Sequence, residues 1–177
     1  MGRSSRNQRS ATISILVVCE GKAEENCLKH IKKLIGRGGK YNLKIVSVNG
    51  KGASNVLQRA LNIRNYSNVY SAVFVFFDTD TDYNKQKFDK VVSRSTTRKC
   101  SIHCMPSDPC FEINLLELLG INVNPYSHLD PTGYLKDVFE SEFRCKSHEI
   151  VWDKQGLTLK NFQSIKLFKP LFEYINK

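Results

Sequence analysis

The segment FVFFDTDTD, residues 74–82, decides the fold class because apolar side chains run directly into acidic ones. After Phe77, acidic residues occupy alternate positions at Asp78, Asp80 and Asp82. Alternate side chains of an extended segment lie on the same side, and two carboxylates about 5 Å apart repel by roughly 3 kcal/mol at an effective dielectric constant near 20. A bound divalent cation would offset this repulsion. The alternative is a polar turn in which Asp82 caps the helix that follows.

Segments with strand and helix patterns alternate on both sides of this acidic stretch. Continuous apolar or β-branched runs predict strands at residues 12–19, 43–48, 72–77 and 100–105. Helical patterns predict helices within residues 20–36, 55–65, 85–93 and 106–120, with Pro109 near the first turn of the last one. Strands that alternate with helices predict an α/β, Rossmann-like fold with a central parallel four-stranded sheet flanked by helices.

The chain divides into a basic tail, an α/β domain and a C-terminal extension, at residues 1–11, 12–120 and 121–177. We expect the tail to be disordered, with Arg3, Arg6 and Arg9 free to contact phosphates. In the extension, helical patterns at residues 134–143 and 161–176 predict a small helical part. We expect this part to pack on the α/β domain.

The composition indicates a basic protein of a reducing compartment. The chain has 177 residues, with 27 lysines and arginines against 17 acidic residues and a net charge of +10. This favours a polyanionic partner, DNA or RNA ahead of a membrane surface, although a solvated basic surface is equally compatible. No segment approaches the roughly 20 apolar residues of a membrane span, and the start lacks the apolar run of a secretory signal. The six cysteines form no C-x-x-C pair, so we expect neither disulfides nor structural zinc, which fits the cytoplasm.

The predicted topology brings three acidic segments to one edge of the sheet. Glu20-Gly21 follows the first strand, Asp78 and Asp80 follow the third, and the loop before Glu112 follows the fourth. Because the carboxyl ends of parallel strands meet at one edge, where ligands bind, we expect these side chains to be neighbours. Glu20 is poorly explained as a helix cap, since glutamate is a poor N-cap residue. Converging carboxylates suit Mg²⁺, which takes one or two of them and keeps waters for a substrate phosphate.

The order of these motifs resembles a known family. A strand that ends in Glu-Gly and a later Asp-x-Asp are similar to the Toprim domain of topoisomerases, primases and OLD-type nucleases. The fuller set ILVVCEGKAEE, FVFFDTD and SDPCFEINLLELL resembles the RloB family of Toprim-like proteins from bacterial restriction and antiphage loci, over about residues 12–120. The chain departs from this family at Asp108, where asparagine is usual, and at Asn114, where an aromatic is usual. These departures leave the choice of substrate open.

The resemblance implies a Mg²⁺-dependent endonuclease that hydrolyses phosphodiester bonds, with Mn²⁺ able to replace Mg²⁺. It makes Glu20 the acid/base or metal-binding glutamate, and Asp78 and Asp80 the Mg²⁺ ligands. Glu24 and Glu112 correspond to acids that hold a second metal in OLD-like nucleases. RNA, for example tRNA, is favoured over DNA because a small Toprim protein without an ATPase domain resembles RNA-cutting effectors. An ATPase subunit of a defence system is a candidate partner.

Two other functions remain open. One is a DNA nickase or endonuclease of the same fold. The other is a non-catalytic module that binds nucleic acid or a partner subunit, in which the acids are only structural. In that case Glu112 and Asp108 have the alternative role of capping the helix near them.

Basic residues with aromatic neighbours predict a surface that binds nucleic acid. The candidates are Lys51, Arg59, Arg64, Lys154 and Lys160, with Tyr66 and Trp152 among them. Trp152 has burial in the core as an equal alternative. A lysine often assists a Toprim-type metal centre, and Lys22 and Lys51 lie in loops at the correct edge of the sheet, with Lys22 assigned to the catalytic set.

Three further features receive no catalytic role from the sequence. The glycine-rich stretches GRGGK (36–40) and NGKG (49–52) lack the P-loop pattern, so we expect flexible basic loops. His103 lies in a predicted strand and is expected to pack there. For His128 and His148 the sequence reveals no partner.

Overall fold

The central sheet of the computed structural model, which describes residues 13–36 and 40–176, has four parallel strands. The strands are β1 (Ile13–Cys19), β2 (Tyr41–Ser47), β3 (Tyr70–Asp78) and β4 (Ser101–Ser107), in the order β2-β1-β3-β4. The helices are α1 (Lys22–Ile35), α2 (Ala53–Ser67), α3 (Lys85–Ser95), α4 (Phe111–Leu118), α5 (Pro131–Phe143), α6 (Leu159–Ser164) and α7 (Lys169–Ile175). The predicted α/β fold with a parallel four-stranded sheet flanked by helices is therefore confirmed. The predicted tail, with Arg3, Arg6 and Arg9, lies outside the described residues.

Strand β1 is buried on both faces because helices cover both sides of the sheet. Ile15 and Val17 pack in the core on the side of α1 and α4, whereas Leu16 and Val18 pack on the side of α2. All four side chains are fully buried. Burial of each contributes about 1.5–3 kcal/mol to folding. A strand that is covered on both faces needs an uninterrupted apolar run, which explains the sequence of β1.

The C-terminal part packs on the same side of the sheet as α1. Leu135, Phe139 and Phe162 are fully buried in the core cluster that contains the α1 side chains. The single helix predicted over residues 161–176 is wrong, because the chain forms two helices there, α6 and α7. Pro170 lies in the first turn of α7, where its missing N–H breaks no helical hydrogen bond. In a single helix over residues 161–176 the same proline would remove a backbone hydrogen bond from the helix interior.

Asp82 does not cap the helix that follows it, contrary to the alternative considered above. That role belongs to Asn84, whose side chain accepts a hydrogen bond from the backbone N–H of Lys87 (3.0 Å) at the start of α3. The carboxylate of Asp82 instead accepts from the backbone N–H of Ser54 (3.2 Å), in the first turn of α2. Asp82 therefore joins the loop after β3 to the helix that precedes this strand.

Two properties of the described residues 13–36 and 40–176 bear on the kind of protein. They contain no helix that is long and apolar enough to cross a membrane. Their six cysteines are all free, and four of them are buried. Buried cysteines of this kind pack as small apolar side chains.

Candidate functional site

Four carboxylates from separate parts of the chain meet at the carboxyl edge of the sheet. Glu20 follows β1, Glu24 lies in the first turn of α1, Asp78 ends β3, and Glu112 lies in the first turn of α4. All four line one cavity of about 220 Å³. Other residues in the wall of this acid cavity include Lys22, Lys136 and His148.

Glu20 connects the end of β3 to the loop before α2. Its Oε2 accepts a hydrogen bond from the backbone N–H of Asp78 (3.2 Å), and its Oε1 accepts from the N–H of Gly52 (3.1 Å). Gly52 has φ +76°, and a Cβ added there would lie 2.9 Å from Asp82 Oδ1. The NGKG stretch, expected to be a flexible loop, thus has a defined role in holding Glu20. Burial raises the pKa of Glu20, although the two N–H donors act in the opposite direction.

Glu24 is buried, with 4% of its surface exposed, and its Oε2 accepts a hydrogen bond from the backbone N–H of Gly21 (3.2 Å). The neighbouring Glu25 differs, because it forms surface ion pairs with Lys22 (2.9 Å) and Lys29 (2.7 Å). Attraction of acids to the positive end of a helix accounts for an exposed residue such as Glu25. It does not require the burial of Glu24, which therefore needs another explanation.

Asp78 has the most perturbed carboxylate of the cluster. Its Oδ1 is buried and has no hydrogen-bond partner among the described residues. Burial raises the pKa of Asp78 to about 9, and the charges of Glu24, Glu112 and Glu20 add to this effect. Burial, with a further contribution from Glu112 and Glu20, raises the pKa of Glu24 to about 7. In the described ranges no lysine, arginine or histidine forms an ion pair with any of the four acids.

Glu112 is held by the C-terminal part of the chain. Its Oε1 accepts a hydrogen bond from Ser147 Oγ (2.7 Å), and only 7% of its surface is exposed. The alternative role of Glu112 as the cap of α4 is wrong, because the N-cap residue is Cys110.

Asp80 and Asp108 lie near this edge of the sheet but are not among the residues that line the acid cavity. Asp80 is exposed, and its Oδ2 accepts a hydrogen bond from Thr132 Oγ1 (3.2 Å) in α5. Asp108 Oδ1 accepts from Thr79 Oγ1 (2.8 Å). The backbone N–H of Thr79 donates to the carbonyl of Pro109 (3.0 Å), which holds this proline in the connection before α4. Pro109 lies directly before Cys110, the N-cap residue of α4, and is thus near the first turn of that helix, as expected.

A comparison with family models identifies the relatives of this chain. The model of the RloB-like protein family matches residues 15–118, which is more than half of the chain. The chain belongs to the RloB-like protein family. No curated protein and no solved structure matches it. The family match extends from β1 to the end of α4, so it contains the four cavity acids but none of the C-terminal part.

In this RloB-like protein the predicted lysines and arginines occupy several different surfaces. Lys22 lines the acid cavity, but its Nζ donates to Glu25 (2.9 Å). Lys51 and Arg59 line a cavity of about 350 Å³ between the end of β2 and α2. Arg64 lies at the other end of α2, where its Nη2 donates to the carbonyl oxygen at the end of α3 (2.7 Å).

The remaining candidates for nucleic-acid contact lie in the C-terminal part or at the end of α2. Lys154 and Lys160 are both exposed. Trp152 is 7% exposed and stacks on His30 with ring centroids 5.8 Å apart, so its burial in the core is confirmed. Tyr66 is 92% exposed and is the one aromatic of the two that a base could reach.

Sequence reasoning missed three residues of the RloB-like site: Lys136, Ser147 and His148. Lys136 and His148 line the acid cavity, and Ser147 bonds to Glu112. They lie beyond the motifs, at positions whose spacing matches no binding or catalytic pattern, so no sequence signal could have found them. His103 stacks on a phenylalanine of β3 at 4.6 Å, which agrees with the expectation that it packs in its strand.

No preformed metal cage is present in the described part of this RloB-like protein. Across residues 13–36 and 40–176, no group of three or more His, Cys, Asp or Glu side chains is arranged to hold an ion. Glu20, Glu24 and Glu112 each have at least one carboxylate oxygen that accepts a hydrogen bond from the protein. Asp78 Oδ1, by contrast, is buried and has no hydrogen-bond partner within these described ranges.

Proposed function

We propose that this RloB-like protein is a metal-dependent nuclease that hydrolyses phosphodiester bonds in RNA. One observation supports the proposal above all others: four acids converge on one cavity, and no cation of the described residues pairs with them. Such a cluster lowers the stability of the fold unless a cation binds to it. A chain selected for stability alone would have replaced at least one of these acids.

The residues present fit a hard divalent cation. Mg²⁺ is bound in proteins by one or two carboxylates and keeps several waters, so it does not require three preformed ligands. Asp78 offers a buried oxygen that has no hydrogen-bond partner in the described part of the chain, and Glu20 accepts from the backbone N–H of Asp78. All the donors are oxygen atoms, which Mg²⁺ and Mn²⁺ prefer over softer metals. We therefore assign Asp78 and Glu20 as the first ligands, with Glu24 and Glu112 available for a second ion.

The protein supplies position and charge around this centre. A bound Mg²⁺ would stabilise charge on phosphate oxygens and lower the pKa of a bound water. Glu20 is fixed by the N–H groups of Gly52 and Asp78, so its carboxylate needs little reorganisation. Lys136 in the cavity wall provides a positive charge beside the acids, and the net charge of +10 favours a polyanionic substrate.

The finer parts of the proposal have different support. The preference for RNA, the role in antiphage defence and an ATPase partner rest on the resemblance described above. Location in the cytoplasm is supported by the free state of all six cysteines. A DNA nickase is the alternative that the same cluster of acids allows, because phosphodiester chemistry does not depend on the sugar.

Cleavage assays with matched variants test the proposal. Purified protein is incubated with tRNA, ribosomal RNA and supercoiled plasmid, each with Mg²⁺, Mn²⁺ or EDTA. Cleavage of RNA that requires the metal and is lost in Asp78→Asn and Glu20→Gln is the expected result. Asp89→Asn, which removes an exposed carboxylate paired with Lys85, is the control and should cleave like the parent. Nicking of plasmid without cleavage of RNA would favour the DNA alternative. Equal activity of all variants would refute the proposal that these acids form a nuclease site.

A further inference from the structure

The turn formed by residues 146–149 is rigidly built and lies beside the acid cavity. Within it, the N–H of Lys146 donates to Glu149 Oε2 and the N–H of Glu149 donates to the carbonyl of Lys146, both at 2.9 Å. From outside, Asn26 Nδ2 of α1 donates to the carbonyl oxygen of His148 at 2.8 Å. The backbone of the 146–149 turn is therefore fixed by its own hydrogen bonds and by α1.

Ser147 joins this turn to the carboxylate cluster. Its Oγ donates to Glu112 Oε1 at 2.7 Å, and Glu112 is almost fully buried. A hydrogen bond in buried surroundings restricts the orientation of the carboxylate that accepts it. The next residue, His148, lines the same cavity as Glu112 and Asp78.

His148 differs from the other histidines of the chain. His30 stacks on a tryptophan, His103 on a phenylalanine, and His128 on a tyrosine, with ring centroids at 5.8 Å, 4.6 Å and 3.6 Å. His148 is exposed, and its ring has no hydrogen bond or ring contact within the described residues. The structure thus holds the backbone of His148 in place at the cavity wall, and its imidazole has no partner among the described residues.

We propose that His148 contacts the scissile phosphate and that Ser147 is a positioning residue for Glu112. This inference rests on the proposed function and names further residues of the same site. Carboxylates repel a phosphodiester, so a phosphate that enters the cavity needs hydrogen-bond donors on another part of the wall. His148, which lines the cavity as Lys136 does, can offer a ring N–H for this purpose. A fixed backbone reduces the ordering cost when this donor binds its ligand.

Chemical modification tests the contact of His148 without requiring catalysis. Diethyl pyrocarbonate acylates accessible imidazoles, and mass spectrometry of peptides gives separate rates for His148 and His128. In Ca²⁺, a hard cation that takes oxygen ligands as Mg²⁺ does, a tRNA mixture should slow acylation of His148 severalfold. The rate at His128 should not change, because this residue is stacked on a tyrosine and is not part of the cavity wall.

Kinetics with matched variants test the same residue in the reaction. His148→Ala should lower kcat/KM by at least about tenfold, which is the loss of one charge-assisted hydrogen bond. His148→Gln should retain part of the activity because the amide still has an N–H donor. His128→Ala is the control and should match the parent. The affinity for Mn²⁺ should be the same in the parent and in all three variants.

The outcomes separate this inference from the proposed function. Suppose that the parent cleaves RNA, that the His148 variants have the same kcat/KM as His128→Ala, and that tRNA does not slow acylation of His148. The inference about His148 is then overturned, and the proposed nuclease function stands. If the parent cleaves no nucleic acid, the proposed function is overturned. Protection of His148 by tRNA would then still support the phosphate contact, and its absence would overturn that contact as well.

The role of Ser147 is tested by binding of Mn²⁺ alone, measured by calorimetry. Ser147→Ala should weaken Mn²⁺ binding roughly tenfold, the effect typical of a residue that orients a metal ligand. Ser147→Thr keeps the hydroxyl and should restore the affinity. Ser164→Ala, which removes a hydroxyl that bonds within α6, is the control. Equal Mn²⁺ affinity of Ser147→Ala and the parent, or a parent that binds no Mn²⁺, would overturn the positioning role.

Discussion

Asp78 is the residue at which the chain departs furthest from what stability alone requires. Its Oδ1 is buried without a hydrogen-bond partner among residues 13–36 and 40–176, although a carboxylate without compensation is costly to bury. Leaving one buried polar atom unsatisfied costs about 1–3 kcal/mol. The charges of three nearby glutamates add to this cost. A residue of this kind is retained when its charge is needed by a ligand.

Replacement of Asp78 by asparagine should therefore stabilise the metal-free protein. Folding raises the pKa of Asp78 from 3.8 to about 9, so the folded state holds this proton more tightly than the unfolded state. The stabilising contribution of the protonated form is complete below pH 4 and is lost as the pH rises toward 9. At pH 8.5 in EDTA, Asp78→Asn should raise the free energy of unfolding by at least about 1 kcal/mol. Urea denaturation gives this value.

The pH dependence supplies the control for this prediction. The parent should be less stable at pH 8.5 than at pH 5, and Asp78→Asn should show a smaller difference between the two. Asp89→Asn should show the same difference as the parent, because Asp89 is exposed and paired with Lys85. A parent whose stability does not fall between these pH values would contradict the buried acid cluster.

The sequence located some of the site residues and not others, for definite physical reasons. Glu20 and Asp78 could be predicted to be neighbours, because the carboxyl ends of parallel strands meet at one edge. Asp80, expected on the same side as Asp78, does not line the acid cavity; β3 ends at Asp78, and Asp80 bonds to α5. Ser147 and His148 reach the site through tertiary packing of the C-terminal part, which no local pattern encodes.

At the scale of secondary structure, the periodicity of the sequence predicts the helices and strands, but it does not predict the contacts made by the loops that connect them. The four strands and the helices between them agree with the predicted ones to within a few residues. For the two central strands, β1 and β3, burial on both faces demands continuous apolar runs. The role of Asp82 could not be inferred, since it caps α2, which precedes it in the chain by one strand. Pro170 divides the last helical segment, and helical spacing alone does not reveal such a break.

The connection before α2 gives a prediction at this scale. Gly52→Ala places a Cβ at φ +76° and 2.9 Å from Asp82 Oδ1, so it combines backbone strain with a clash. Gly156→Ala is the control for alanine at a positive φ, because its φ is +64° and nothing described lies within 4 Å of the added Cβ. Gly52 combines φ +76° with ψ 162°, a region that is almost restricted to glycine. Strain alone should cost Gly156→Ala about 1 kcal/mol in free energy of unfolding. Gly52→Ala should cost clearly more, and urea denaturation measures both.

The same substitution has a functional consequence that the control lacks. The N–H of Gly52 donates to Glu20 Oε1, so a shift of this loop should displace the carboxylate. We expect Gly52→Ala to weaken Mn²⁺ binding, while Gly156→Ala leaves it unchanged. Equal effects of both variants on stability and on Mn²⁺ affinity would show that the loop does not hold Glu20.

At the scale of the whole molecule, an acidic cavity lies within a chain of net charge +10. This arrangement suits a polyanion that is attracted from a distance and a cation that is bound locally. The family match ends at residue 118, yet the cavity also contains residues of α5 and of the 146–149 turn. The site therefore depends on the C-terminal part, which packs in the same core as α1.

The position of the basic residues leads to a prediction on how RNA lies on the molecule. Lys51 and Arg59 line a cavity at the carboxyl edge of the sheet, where the acids also lie. Arg64 and Lys99 line a cavity with the first residues of β3, at the opposite edge. An RNA whose phosphate enters the acid cavity can reach the first pair, whereas the second pair lies at the far end of the strands.

We therefore compare two double variants by fluorescence anisotropy of labelled tRNA in Ca²⁺ over a range of KCl concentrations. Lys51→Ala with Arg59→Ala should weaken binding and reduce the slope of log affinity against log salt by about 1.4 to 1.8, since each of the two phosphate contacts contributes roughly 0.7 to 0.9. Arg64→Ala with Lys99→Ala removes the same charge and should leave the slope unchanged. Equal losses of tRNA affinity in the two double variants would mean that RNA binds through diffuse charge. A larger loss in the Arg64/Lys99 variant would place the RNA at the opposite edge of the sheet, away from the acids.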